Sequence, residues 1–455
     1  MSYHLEDPDE HEGPSLRRTR GGQRDKTRGL GWRRACGLLV VALVAAACGG
    51  STQSSSSTSA SKGPISIWYS NNAQEVTWGE AVVAAWNKDH ASEQVTGQQI
   101  PAGKTSEEVI GAAITAGTTP CLIYNTAPGS VPGWQLQGGL VNLSSFSDGN
   151  SYIDARTGSA AAPYKSPDGN FYQMPWKTNP VMIFYNKAVF AKAGIDSTNP
   201  PLKTYAQFLA TAQTLVAKGG VQAAIWPAPT SEYFQSWFDF YPLFIAETGG
   251  KQLVENNKPA FDSADGQAVA NFWRQIYASK LAPTEAAQGD PFATGQAAMA
   301  IVGPWAVAQY TGKVNWGVVP VPTKDGEDPS QIHTYSDEKS IGMYSSCKNQ
   351  GTAWDFLKFS TSQANDGQLL QVTGQMPTRT NLPSTYASYF STHPAYKVFA
   401  DQGARLTQVP NVPNSVEMWQ DFRDAYSKAV IFGNESVDQA LKDADALITT
   451  LLGTQ

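Results

Sequence analysis

Pro291-Phe-Ala-Thr-Gly-Gln-Ala-Ala-Met-Ala-Ile-Val-Gly-Pro-Trp305 is the stretch that decides the fold of this 455-residue chain. It predicts a helix at its start, with Phe292 near the beginning. The residues from Gln296 to Ala298 are small or unbranched, so another backbone can approach closely. Ala298 to Val302 is a short apolar run suited to a buried strand. Gly303-Pro304 then forces a turn and delivers Trp305 just past the strand end. A large aromatic in that position suits a ligand platform. The plainer alternative is a helix–strand unit with a core tryptophan.

The segments upstream extend the pattern. Pro64 to Ser70 is β-rich and alternating, and reads as a first strand. Asn71-Asn72 turn the chain into an amphipathic helix through Val76, Ala81, Val82, Ala85 and Trp86. A strand is expected around Val95 to Ile100. A helix is expected from Ser106 to Ala116, with Ser106 as its N-cap, and a buried strand from Pro120 to Asn125. Strands alternating with helices of this length argue a parallel α/β sheet. In such sheets ligands bind beyond the carboxyl ends of the strands. That puts Trp68, Asn71, Asn72 and Asn125 at one mouth, although asparagine serves as often in plain turns.

With these segments set in order, the chain resembles the extracellular solute-binding proteins of ABC sugar importers, the maltose-binding-protein-like group. The opening stretch matches that family's F-x-x-G-x-A-A-M-x-x-x-G-x-W signature. Trp134 to Leu143 resembles the segment that closes the first lobe, and Tyr172 to Lys187 ends in the family's Tyr-Asn. Pro200 to Leu209 resembles the P-x-T-W-x-E-L helix start. Val314 to Pro322, Ala353 to Phe359 and Gly374-Gln-Met-Pro-Thr-Arg379 follow in the family's order. The resemblance runs over residues 64–455. It implies a two-lobe, type II periplasmic-binding-protein-like α/β fold. Each lobe would be a mostly parallel sheet flanked by helices, and a multi-crossing hinge would join them. The first lobe would take residues 64–178 plus about 332–377, and the second about 179–331 plus 378–455.

The same resemblance implies a site. The first crossing falls near Lys177 to Pro180, with Trp176 at the cleft floor. Glu232, Tyr233 and Trp237 stand where relatives start a sugar-contacting helix, although a helix N-terminus favours a glutamate for its dipole alone. Trp305 and Trp419 supply further aromatic faces. Relatives usually carry Gly-Gly before the return strand, where this chain has Asp337-Glu338-Lys339; Asp337 would contact a polar ligand or be solvated. Arg379 offers five fixed donors to a ligand and serves equally in a structural ion pair.

The N-terminus reads as an address. Residues 1–47 comprise a charged leader and a lipoprotein signal peptide, whose apolar run from Ala35 to Ala47 is too short to span a bilayer of about 20 helical residues. Val44-Ala-Ala-Ala-Cys48-Gly-Gly resembles the bacterial lipobox, which implies cleavage before Cys48 and lipid attachment to its sulfur. Residues 48–63 form a Ser-rich flexible tether. Arg33-Arg34 leaves Sec and twin-arginine export both open.

Beyond residue 47 the chain holds 25 basic and 33 acidic residues, which argues against binding a phosphate backbone. No H-E-x-x-H, G-x-S-x-G or G-x-G-x-x-G occurs. His90, His333 and His393 have no ligand spacing. The expectation is therefore no catalytic residues, no cofactor and no metal. Cys121 and Cys347 are by themselves a disulfide candidate or two thiols. The family resemblance sets their strands side by side and antiparallel, and implies a Cys121–Cys347 disulfide. On the loop-entropy model it contributes about 4–5 kcal/mol.

The expected function is capture of a sugar or oligosaccharide by the extracellular component of an ABC importer. The protein would be monomeric, anchored at the outer face of the bacterial cell membrane through Cys48, and would deliver its ligand to the permease. The alternatives are a receptor for another polar solute, such as a glycerophosphodiester or polyol, and a surface glycan hydrolase.

Overall fold

The computed structural model describes residues 61–70, 72–103, 105–227 and 230–453. The leader, signal peptide, Cys48, most of the tether and Asn71 lie outside the described residues.

The chain builds two main sheets. The first forms from β1 (Ile65–Tyr69), β2 (Val95–Gln99), β3 (Leu122–Thr126) and β4 (Gln173–Thr178). The chain then leaves for the second sheet, with β5 (Met182–Asn186) and β6 (Ala223–Ile225). A small hairpin follows, β7 (Val254–Glu255) and β8 (Lys258–Pro259), and then β9 (Ala297–Val302) and β10 (Trp316–Val319). The short β11 (Thr334–Tyr335) leads back to β12 (Lys339–Met343) and β13 (Met376–Pro377), and β14 (Leu406–Thr407) pairs with β11. The first sheet has the order β13-β4-β12-β3-β1-β2 and the second β10-β5-β9-β6.

Local chemistry accounts for the elements. Helix α1 (Ala73–Asp89) starts where the Asn72 side chain accepts from the amides of Gln74 and Glu75. Helix α2 (Ser106–Ala116) is capped by Thr105, whose hydroxyl accepts from the Glu108 amide at 3.1 Å. Ser106, expected as the cap, is the first helical residue instead. The helix stops at Gly117, with φ 67°, a left-handed stop that glycine adopts at little cost.

The sheets are mixed, which corrects the expectation of mostly parallel ones. β1 runs parallel to β2 and β3, and β6 to β9. β12 is antiparallel to both β3 and β4, β13 to β4, and β5 to both β9 and β10. The reason is the crossing itself. A strand that re-enters from the other sheet arrives from the opposite end.

The opening stretch also differs at its start, where it is a turn and not a helix. The Asp290 carboxylate accepts from the amides of Phe292 and Ala293, both at 3.0 Å. Gly295 then takes φ 74°, and Ala297 enters β9. One turn is used up before a helix can propagate.

Each sheet carries its own core. Trp78, Trp86, Leu122, Trp176 and Phe356 pack on the first, and Ile183, Phe240, Trp273, Trp419 and Phe422 on the second. At the Cys121–Cys347 disulfide the Cα atoms are 4.5 Å apart, and the bond joins the start of β3 to the chain beyond β12.

The crossings are tied to one another. Val181 donates to the Tyr335 carbonyl at 2.8 Å, and Asp337 donates to the Asn179 carbonyl at 3.0 Å. Thr378, after β13, donates to the Trp176 carbonyl at 2.9 Å. Lys177 and Glu75 form an ion pair within this zone, both almost wholly buried. Burial alone would raise the Glu75 carboxyl, but the Lys177 charge and the hydrogen bonds to Glu75 hold it below the usual carboxylate range.

Candidate functional site: the interlobe cleft

The carboxyl ends of β2 and β3 face the segment that follows β6 across a cleft of about 330 Å³. Asn125, Thr105 and Glu107 border it from the first side, Tyr233, Trp237 and Phe238 from the second, and Asp337 and Lys339 from the crossing. A second chamber of about 390 Å³ shares Phe234 and Phe238 with it and adds Trp226 and Trp305. A third, of about 300 Å³, shares Tyr233 and adds Glu108, Glu232, Glu417 and Asp421 at the mouth.

Asn125, the penultimate residue of β3, takes φ 62°. Asparagine is among the few non-glycine residues that tolerate this region. Its Oδ1 is buried and meets no protein donor. Trp237 is 5% exposed, is held edge-on by Tyr233, Tyr335 and Trp419, and its Nε1 has no protein acceptor. A buried donor and a buried acceptor left open in one cavity are expensive unless something else meets them.

Charge in the cleft is predominantly acidic. Lys339 is the one cation among the described residues that border the three chambers, and its Nζ lies 2.6 Å from Asp337. Burial pulls the Lys339 ammonium down, but the carboxylates of Asp337 and Glu107 outweigh that and hold it above the usual lysine range. Burial first, and then the Glu107 charge and hydrogen bond, push the Tyr233 phenol well up. Among the described residues no His, Cys, Asp and Glu cluster could hold a metal ion.

The sequence candidates divide. Asn125, Glu232, Tyr233, Trp237, Trp305 and Asp337 border the connected chambers. Glu232 is not a helix cap, because the helix Phe240–Glu247 begins only at the Asp239 cap. Its Oε2 is buried without a partner. The Trp305 ring lies over Gly303, where a methyl would come within 2.1 Å of it. That close approach is why glycine precedes the Pro-Trp turn.

The remaining candidates are structural. Trp68 packs among Ile100, Ile110 and Ile123 beneath the first sheet. Trp176 lies against Trp78 and Tyr124. Trp419 is fully buried against Trp237, Tyr241 and Phe422. Asn72 is occupied as the cap of α1. Arg379 donates to Asp366 and to the Thr361 carbonyl, each at 2.9 Å, which makes it the structural ion pair. In each case packing or a hydrogen bond occupies the side chain, although the indole nitrogens of Trp176 and Trp419 meet no protein acceptor.

Several cleft residues were not singled out from sequence. Thr105 and Glu107 follow the end of β2, where the strand-end rule applied to β1 and β3 also points. Trp226 follows β6 as Trp305 follows β9, and those strands are parallel neighbours. Phe234 and Phe238 flank Trp237 in the same short segment.

Two mixed sheets joined by tied crossings, with an aromatic and polar cleft between them, define a protein that encloses a small solute. The family model described as bacterial extracellular solute-binding protein matches residues 70–366, and the chain belongs to that family. Its similarities run in the same direction. It is 24% identical over 338 residues to the diacetylchitobiose binding protein DasA of Streptomyces coelicolor, covering 70% of this chain and 74% of that one. It is 24% identical over 423 residues to the sn-glycerol-3-phosphate-binding periplasmic protein UgpB of Rhizobium meliloti, covering 82% and 95%. Among solved structures it resembles the GacH receptor of Streptomyces glaucescens, with a TM-score of 0.73, 21% identity and coverage of 86% and 99%. Members of this family are binding proteins. Among the described residues no helix is long and apolar enough to cross a membrane.

Proposed function

We propose that this protein is the extracellular substrate-binding component of an ABC importer, and that it captures a sugar or oligosaccharide in the interlobe cleft. The observation that carries the reading is the pairing of aromatic faces with unpartnered neutral polar groups. Trp226, Trp237 and Trp305 offer apolar area to sugar C–H faces. The Asn125 amide and the Trp237 indole offer hydrogen bonds to hydroxyls. Closure of the two lobes would complete the enclosure, and the closed form would dock on the permease. The protein acts as a binder without catalysis, as a monomer, held at the outer face of the membrane by a lipid on Cys48. The diacetylchitobiose and acarbose named for two relatives are in keeping with a saccharide ligand.

A phosphate-bearing ligand, such as the one named for the glycerol-3-phosphate relatives, fits the described cleft poorly. Its one described lysine is engaged by Asp337, Glu107 borders the same cleft, and Glu108, Glu232, Glu417 and Asp421 border the adjoining chamber. A thermal-shift screen over oligosaccharides, polyols and phosphodiesters tests the reading, because a ligand that binds only the native state raises Tm. An oligosaccharide should give the largest rise. A phosphodiester giving it would overturn the proposal, and so would release of shorter sugars from a bound oligosaccharide.

A further inference from the structure

Asp337 and Lys339 border the cleft, whereas Glu338, between them, borders a separate cavity of about 980 Å³. The two cavities share no lining residue, so this second cavity is separate from the cleft. Thr157, the last residue of the helix Gly149–Thr157, and Pro163, in the segment after it, border it on one side. Gln252, Leu406 and Gln408 border it on the other.

We infer that this separate cavity is a second ligand site, for a small uncharged polyol or sugar. Its charged neighbours are already engaged. Arg379 is held by Asp366, Asp401 by Lys397, Glu255 accepts from the Gln252 amide, and Glu338 accepts from the Tyr164 hydroxyl. What remains open is neutral. Gln408 is 4% exposed and Thr157 3%. Neither the two amide atoms of Gln408 nor the Thr157 hydroxyl has a protein partner. The Gln408 backbone is held in place, because its main-chain carbonyl accepts from both Tyr241 and Gln252. Pro163, Pro377, Leu382 and Leu406 add apolar surface beside these groups. Neutral donors and acceptors next to apolar faces match vicinal hydroxyls on a carbon skeleton.

The test uses the whole protein with sorbitol, glucose and trehalose as probes. Titrations are followed by calorimetry and by the Gln408 side-chain amide NMR signal, assigned through its loss in Gln408→Met. At least one probe should shift that signal saturably, and should still do so in Trp237→Ala, where the cleft is disabled. Gln408→Met and Thr157→Val should each weaken the calorimetric affinity at least tenfold, about 1.4 kcal/mol. Melting scans identify folded variants, and either folded variant suffices. No saturable shift from any of the three probes overturns the inference. A shift lost in Trp237→Ala also overturns it, because the signal would then report the cleft. Failure here leaves the cleft reading untouched.

Discussion

Asn125 and Trp237 stand on opposite sides of one cavity, and each holds a buried polar atom that no protein group meets. Asn125 also adopts φ 62°, so its side chain and its backbone can be tested separately. Asn125→Gly removes the amide but suits the backbone, whereas Asn125→Ala removes the amide and leaves a strained residue. Both should weaken ligand binding at least tenfold, about 1.4 kcal/mol. Only the alanine variant should lose stability, by about 1 kcal/mol. Calorimetric titration and urea unfolding of the two variants check this; equal stability losses would place the effect in the side chain's packing.

Trp305 and Gly303 form the second such pair. Trp305→Ala should leave Tm nearly unchanged while weakening binding at least tenfold. Gly303→Ala should reproduce much of that loss with Trp305 still present, because the added methyl would come within 2.1 Å of the ring and displace it. Indole fluorescence would register the displaced ring. Normal binding with a much lower Tm in Trp305→Ala would make the ring a core element.

The Cys121–Cys347 bond spans a sequence separation of 226 residues. On the loop-entropy model, reduction or the double serine variant should cost about 4–5 kcal/mol. Calorimetric scans with and without reductant give the difference directly. An unchanged Tm on complete reduction would show that the reduced, unfolded chain is already constrained.

The Lys177–Glu75 pair links β4 at the crossing to the first turn of α1, and Gln375 also donates to Glu75 at 2.6 Å. Removing one partner leaves a buried charge. Lys177→Met should therefore destabilise by about 3–5 kcal/mol. Adding Glu75→Met should restore most of that loss, since neither variant residue carries charge. A double-mutant cycle by urea unfolding measures the coupling. Simple additivity of the two losses would rule the pair out as a unit.

The elements were more legible in the sequence than the site was. Period and length place α2 to within a residue at its start, and the apolar run from Ala298 to Val302 becomes all but the first residue of β9. Period and length alone did not show strand direction; the antiparallel pairing of β12 with β3 came from the family resemblance, because β12 owes that direction to a return from another sheet. In the site, residue type misled where tertiary packing had the deciding vote. Trp68, Trp176 and Trp419 look like platforms in a list of aromatics, but each fills a core. Phe234 and Phe238 look like core and border the cleft. Asn125 and Asn72 have the same side chain next to strand ends. Only the helix start, which occupies Asn72, separates them.

Glu338 carries the last prediction. Burial pushes its carboxyl up to about 7, against the hydrogen bonds from Tyr164, Ser336 and Thr178, with Asp337 adding like charge. The folded state therefore holds the proton more tightly than the unfolded state. Its contribution to stability is fully present below the ordinary carboxyl range and is lost as pH rises through about 7. Glu338→Gln keeps an amide in place of the protonated acid and does not titrate. Wild type should thus lose stability relative to Glu338→Gln as pH rises from about 4.5 to 8, by ~3 kcal/mol at most at 1.36 per pKa unit. Above that window the difference should be flat. Unfolding free energies of both proteins across the range provide the check, and a constant difference would mean that Glu338 is ionised throughout.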